Sequence, residues 1–231
     1  MSHLFDAVIF DMDGLLIDSE PLWQEAEIDC FRNIGITLTL DHCRAMAGRR
    51  IDEVIAQWHA QFGWNSPSPE EMVKRVISRV TDLIMDRGQP LPGVHALVDS
   101  LSRAGLKLAI ASSSPPELIQ AVISKLNLEL VLELWHSGTA ELRGKPDPAV
   151  FLSTARRLGV EPSRCLVFED APAGVLAGHR AGMVVIAVPS VFEPDDPGFL
   201  PAQQVLTSLE AFDLPSFEQQ WIRQQRCSEA P

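Results

Sequence analysis

A chain of 231 residues, 46% of them hydrophobic and 22% charged, has enough apolar material for one large α/β core with an insertion, or for two domains. Its formal net charge of −12 offers no basic face, which excludes nucleic acid and anionic membrane as main partners. A small anion can still be bound, provided that a cation or a few local Lys/Arg residues gather at its site.

No apolar run approaches the ~20 residues of a transmembrane helix, and the chain enters its first strand without a basic leader or a signal-like apolar stretch. The cysteines Cys30, Cys43, Cys165 and Cys227 show neither C-x-x-C spacing nor a Cys/His cluster. Free thiols in a reducing cytoplasm are expected.

In chain order, Ala7-Val8-Ile9-Phe10 is a short apolar run that reads as a buried strand of a parallel sheet. Asp11 and Asp13 end it, and Gly14 permits a sharp turn. Pro21 suits a first helical turn, with Ser19 or Glu20 just before it. Leu22, Ala26, Cys30 and Ile34 then recur at helical spacing, widened by Trp23 and Phe31 and stopped at Gly35. Val54, Ile55, Trp58 and Phe62 mark a second amphipathic helix, and Met72 to Ile84 a third. No strand pattern occurs between Asp18 and Arg87, so an all-helical block is expected, with its aromatics as core.

Beyond Pro92-Gly93 the character changes to alternating helix and strand. Strands are expected over Leu106–Ser112, near Leu134–Ser137, over Arg164–Asp170 and over Met183–Val188, with helices between them. That alternation implies a doubly wound parallel sheet. The tail from about Arg223 is polar and expected to fray.

Polar groups stand where these strands end, and in open α/β sheets the crevice beyond the carboxyl ends binds ligands. Asp11 and Asp13 follow the first strand, Ser112 and Ser113 the second, Lys145 lies in a Gly/Pro loop, and Glu169-Asp170 ends a later strand. Taken singly, Ser112 also fits a helix N-cap, Lys145 a solvated lysine, and Glu169-Asp170 a helix-capping pair. Together they suit phosphoryl transfer. Carboxylates can ligate Mg²⁺ and attack phosphorus; a lysine and a hydroxyl can hold phosphoryl oxygens; a second acid can move protons.

The motifs Asp11-Met12-Asp13-Gly14, Ser112, Lys145 in Gly-Lys-Pro-Asp-Pro and Glu169-Asp170 resemble the haloacid dehalogenase (HAD) superfamily over nearly the whole chain. The resemblance implies a Rossmann-like α/β core of residues 1–17 and 88–231, with an inserted helical cap of residues 18–87. It makes Asp11 the nucleophile and Asp13 the general acid/base, whose main-chain carbonyl also ligates Mg²⁺. Asp170 becomes a metal ligand with Glu169 supporting it, while Ser112, Ser113 and Lys145 bind phosphate. The second acid at position 13 points to a phosphatase or phosphomutase rather than a dehalogenase. Within the expected cap, Arg50, and less directly Arg49, are carried over as contacts to the substrate; a solvated basic pair is the alternative.

The run from Asp11 to Trp23 resembles bacterial hexitol-phosphate and 2-deoxyglucose-6-phosphate phosphatases, and Phe168 to Pro172 resembles pseudouridine-5′-phosphatase. The expectation is a Mg²⁺-dependent, monomeric phosphomonoesterase of small phosphorylated metabolites. The runner-up is β-phosphoglucomutase. Mutases of that type carry a His where this chain has Trp23, so nothing here is expected to restrain Asp13. A receiver-type signalling domain is disfavoured, because its acidic pair belongs on the first strand and its acceptor on a middle one.

Overall fold

The computed structural model describes residues 3–228, with no side-chain description for residues 226–228. Strand β1 (Ala7–Phe10) leads to helices α1 (Glu20–Arg32), α2 (Leu40–Arg44), α3 (Ile51–Phe62) and α4 (Pro69–Arg87). Next come α5 (Val94–Arg103), β2 (Lys107–Ser112), α6 (Pro116–Leu126), β3 (Leu134–Ser137), α7 (Ala149–Leu158) and β4 (Cys165–Glu169). The chain finishes with α8 (Pro172–Arg180), β5 (Val184–Ala187), β6 (Gln204–Val205) and α9 (Leu214–Ser228).

The strands form one parallel sheet in the order β3-β2-β1-β4-β5-β6. β1 is central, pairing Phe10 with Ile110 on one side and Phe168 on the other. Alternation sends Val8, Phe10, Leu108, Ile110, Leu166 and Phe168 to one face, and Ala7, Ile9, Ala109, Ala111 and Val167 to the other. The second face is lined with alanines, so α7 and α8 pack closely on it. At Gly178 of α8 an added Cβ would lie 2.8 Å from Val185. Strand order reverses at β1, which places the crevice beyond its carboxyl end, flanked by β2 and β4.

Helices α1–α4 are inserted between β1 and α5 and pack on one another, α4 also touching α6. Phe31 meets Trp58 and Trp64 edge-on, with ring centroids 5.1 and 5.2 Å apart, and the Trp64 indole N–H donates to the Pro67 carbonyl. These aromatics are core, as the helical spacing implies. The segments entering and leaving the insertion lie side by side: Asp18 N–H donates to Gln89 O and Leu91 N–H to Leu16 O.

Two elements escape helical or strand periodicity because they are too short to show it: α2, fixed by a Thr39/His42 capping box, and the two-residue β6. The expected fraying from Arg223 is corrected, since α9 is helical through Ser228. Phe217 anchors it against Phe5 and Phe212, and Trp221 stacks one turn later. The rest of the tail, residues 229–231, lies outside the described residues, as does the Cys227 side chain. No helix among the described residues is long and apolar enough to cross a membrane.

Candidate active site

The Asp11 N–H donates to Phe168 O at 2.9 Å, which carries the β1–β4 ladder one residue further and sets the Asp11 carboxylate at the sheet edge. Gly14, at φ +76°, then turns the chain against Asp170, where any side chain would strike the Asp170 carboxylate. From the loop before α7, the Lys145 ammonium donates to Asp11 Oδ1, to Glu169 Oε1 at 2.7 Å and to Ala111 O at 3.2 Å. It also lies 4.9 Å from the Phe151 ring centroid. One cleft is lined by Asp11, Asp13, Ser112, Ser113, Lys145, Glu169 and Asp170 together. The cleft is roofed by α1, the segment after α2, and the start of α3.

One buried ammonium is shared by two carboxylates. Burial pushes the Asp11 pKa up and the Lys145 charge opposes that, with Glu169 adding to the rise. Asp170 has no ammonium. Burial and the charges of Glu169 and Asp11 push its pKa well up, opposed by the Ser190 hydroxyl, which donates to Oδ2 at 2.8 Å. Asp11, Glu169 and Asp170 each offer an oxygen within 4.8 Å of the others. Three crowded, buried carboxylates with one lysine between them have the donor chemistry that suits a hard divalent cation. Both oxygens of Glu169 are engaged, Oε1 by Lys145 and Oε2 by the Ala171 N–H, and Gly174, where any side chain would overlap the Glu169 carboxylate, makes room for it. Asp11 and Asp170 are the carboxylates with oxygens to spare.

Asp13 departs from the sequence expectation that nothing restrains it. Its Oδ1 accepts from the Ser19 hydroxyl at 2.7 Å and from the Trp23 indole N–H at 2.9 Å. Its Oδ2 accepts from Ser114 at 2.7 Å and, at the long distance of 3.5 Å, from Ser112. The Trp23 indole, at the position where the sequence resemblance places a mutase's His, is thus a donor to Asp13. Ser19 precedes α1 but makes no side-chain cap, because its hydroxyl serves Asp13. Ser112 likewise caps no helix: its Oγ accepts from the Ser114 N–H.

The arginine pair is split. Arg49 lines the cleft, with its guanidinium bonded to Gln57 Oε1 at 2.7 Å and 3.8 Å from Glu53. Arg50 does not line it. It grips Asp52 with Nε and Nη2 and donates Nη1 to the carbonyls of Gly138 and Glu141 at 3.3 and 2.9 Å. Arg50 therefore ties the insertion to the loops beside β3, where Gly144 permits its close approach. The Ser113 hydroxyl makes a second tie, to Gly48 O at 3.3 Å.

Sequence reasoning did not assign Ser114, Glu20, Gln24 or Glu27 to the cleft, nor Ser19, Trp23 and Ser190 as donors to its acids. Glu27 is the most unusual of these, 7% exposed among apolar neighbours in α1. Burial raises its pKa to about 8, with a hydrogen bond to Cys43 opposing the rise and Glu20 adding to it. A carboxyl that holds its proton more tightly when folded costs stability as pH rises from its unfolded value, about 4.3, toward that folded value. Glu27→Gln should therefore match the wild type in Tm near pH 4 and exceed it by about 3 °C or more at pH 8. Equal Tm differences at the two pH values in scanning calorimetry would contradict the raised pKa.

A family model of haloacid dehalogenase-like hydrolases matches residues 5–182. The chain is 39% identical over 204 residues to hexitol phosphatase B of Escherichia coli (strain K12), which covers 88% of this chain and 92% of that one. It is 33% identical over 178 residues to a phosphorylated carbohydrates phosphatase of Thermotoga maritima, covering 77% and 82% respectively. The crystal structure of β-phosphoglucomutase from Clostridium difficile matches with a TM-score of 0.82 at 21% identity, over 95% of this chain and 98% of that one, which is a likeness of fold. The residues matched by the family model include every strand end that feeds the cleft, and the chain belongs to the haloacid dehalogenase-like hydrolases.

Proposed function

We propose that the protein hydrolyses phosphate monoesters of sugars and polyols through a phosphoryl group carried transiently on Asp11. The observation that carries this reading is the pair Asp11 and Asp13 on one cleft with different partners. Asp11 is bonded to a buried ammonium beside an acid that lacks a cation, whereas Asp13 is oriented by hydroxyl and indole donors. Relatives named for hexitol and carbohydrate phosphates support the choice of ester. Residues 18–87 act as the cap over a core of residues 1–17 and 88–231.

The Asp11 oxygen that Lys145 does not hold attacks phosphorus, and the bond to the ester oxygen breaks. Asp13 gives the departing alkoxide its proton. Water then attacks the acyl phosphate, Asp13 takes the water's proton, and phosphate leaves Asp11. The Lys145 ammonium, the Ser112 hydroxyl and backbone N–H groups after β2 hold the phosphoryl oxygens. Asp11, Asp170 and the Asp13 carbonyl are the groups that would hold Mg²⁺, which would supply positive charge to offset the crowded carboxylates and the phosphoryl oxygens.

Asp11→Asn should keep its fold and lose at least about 10³-fold in kcat on any phosphate monoester it hydrolyses. Retention of a tenth or more of the wild-type value would move the covalent role elsewhere.

A mutase is the second reading, and the Trp23–Asp13 bond favours it, because a mutase must restrain its acid/base until sugar is bound. The phosphatase reading rests on the more similar relatives. With β-glucose 1-phosphate, catalytic glucose 1,6-bisphosphate and Mg²⁺, inorganic phosphate should be the main product. Glucose 6-phosphate forming faster than phosphate would make the protein a mutase.

A further inference from the structure

We propose that Gln24 and Glu27 of α1 read the hydroxyls of the leaving group about one helical turn beyond the scissile bond. The preferred substrate is then a polyhydroxylated phosphate ester whose far end carries no second anion. This rests on the phosphatase reading and names the residues that would choose within it.

Helix α1 turns one polar stripe into the cleft. Glu20, Trp23, Gln24 and Glu27 are spaced i, i+3, i+4 and i+7, and all four line it. Trp23 fixes where along this stripe the chemistry happens, because its indole N–H is 2.9 Å from Asp13 Oδ1. The ester oxygen that takes the Asp13 proton lies beside Trp23. Glu27, four residues on, stands about 6 Å further along the helix axis. An extended carbon chain covers that distance in about five single bonds, within the length of a hexitol phosphate and beyond that of a two- or three-carbon ester.

The groups waiting there are short of partners. Among the described residues, no lysine or arginine pairs with Glu27, and its hydrogen bond is to the Cys43 thiol, a weak donor. Gln24 makes no side-chain hydrogen bond to any described residue. Glu27 is buried and Gln24 half-buried, so a ligand that displaces water from them must return the hydrogen bonds it removes, and such sites discriminate strongly against analogues that lack the matching hydroxyl. Because burial raises its pKa to about 8, the Glu27 carboxyl keeps its proton at neutral pH. It then presents one donor and one acceptor, as the Gln24 amide does, and each hydroxyl of a diol presents the same pair. Met46, Ile51 and Val54 line the same cleft and offer apolar surface for the C–H side of the chain.

A second anion finds no free cation in this wall. Arg49 is engaged by Gln57 and Glu53, Arg50 is turned to the core carbonyls, and Glu20 and Glu27 line the cleft instead.

The test compares kcat/KM for sorbitol 6-phosphate, 4-nitrophenyl phosphate and 6-phosphogluconate, whose far carbon is a carboxylate. The wild type should favour sorbitol 6-phosphate over 6-phosphogluconate by at least about 100-fold. Glu27→Leu and Gln24→Leu should each lose at least about 30-fold more on sorbitol 6-phosphate than on 4-nitrophenyl phosphate, which has no hydroxyls. Glu27→Gln, which still donates and accepts, should stay within about tenfold of wild type on both esters. Equal losses on the two esters would mean a structural role, and undiminished turnover no role; either result overturns the inference while the phosphatase reading stands. Equal use of 6-phosphogluconate overturns it as well. A wild type that hydrolyses none of the three esters overturns the phosphatase reading, and this inference with it.

Discussion

The site is organised around one ammonium. Lys145 is buried between Asp11 and Glu169, and a lone charge in that position would be strongly unfavourable. Its two carboxylate partners come from the ends of adjacent strands, β1 and β4, so the ion pairs hold only if the parallel sheet is in register. The loop before α7 must also bring the lysine back across the sheet edge. Removing the lysine leaves uncompensated buried charge, a loss of about 3–5 kcal/mol, whereas removing one carboxylate still leaves the other to pair with it. Asp170 stands just outside this arrangement. The three acids exceed the one lysine, and that surplus of buried negative charge has the donor chemistry that suits a divalent cation.

The helical insertion approaches the same crevice from above and touches it at distinct points. Trp23 and Ser19 hold Asp13, Arg50 grips the loops beside β3, and Gly48 receives the Ser113 hydroxyl. Asp13, the proposed general acid/base, therefore belongs to β1 by covalent connection and to α1 by hydrogen bonding. Any movement of α1 relative to the sheet would change the donors around Asp13. The same helix carries the polar stripe beyond it, so in the proposed reading proton transfer and recognition of the leaving group share one element.

Much of this was legible in the residues. Apolar runs ending in acids located β1 and β4 and, with them, Asp11, Asp13, Glu169 and Asp170; the Gly/Pro loop located Lys145. What could not be read depended on direction rather than identity. Ser19 sits where a helix cap belongs, and its local context contains nothing to show that its hydroxyl turns back to Asp13. Arg49 and Arg50 are neighbours at the start of α3, and only the backbone there decides which of them faces the cleft. Trp23 was noticed for the imidazole it replaces, while its role as a donor to Asp13 needed the three-dimensional distance. Glu27 lies within a helix whose apolar spacing is unremarkable, and its burial became visible only once α1 met the rest of the insertion. Ser190 comes from the loop after β5 and carries no local signal.

The central claim is that phosphorus passes through Asp11 on its way from ester to water. The most direct measurement is the stereochemical course at phosphorus, followed with a chiral, isotopically labelled phosphorothioate ester hydrolysed in heavy-oxygen water. Attack by Asp11 inverts the configuration and attack by water inverts it again, so double displacement predicts net retention. Net inversion would mean that water attacks the ester directly and that Asp11 never carries the phosphoryl group.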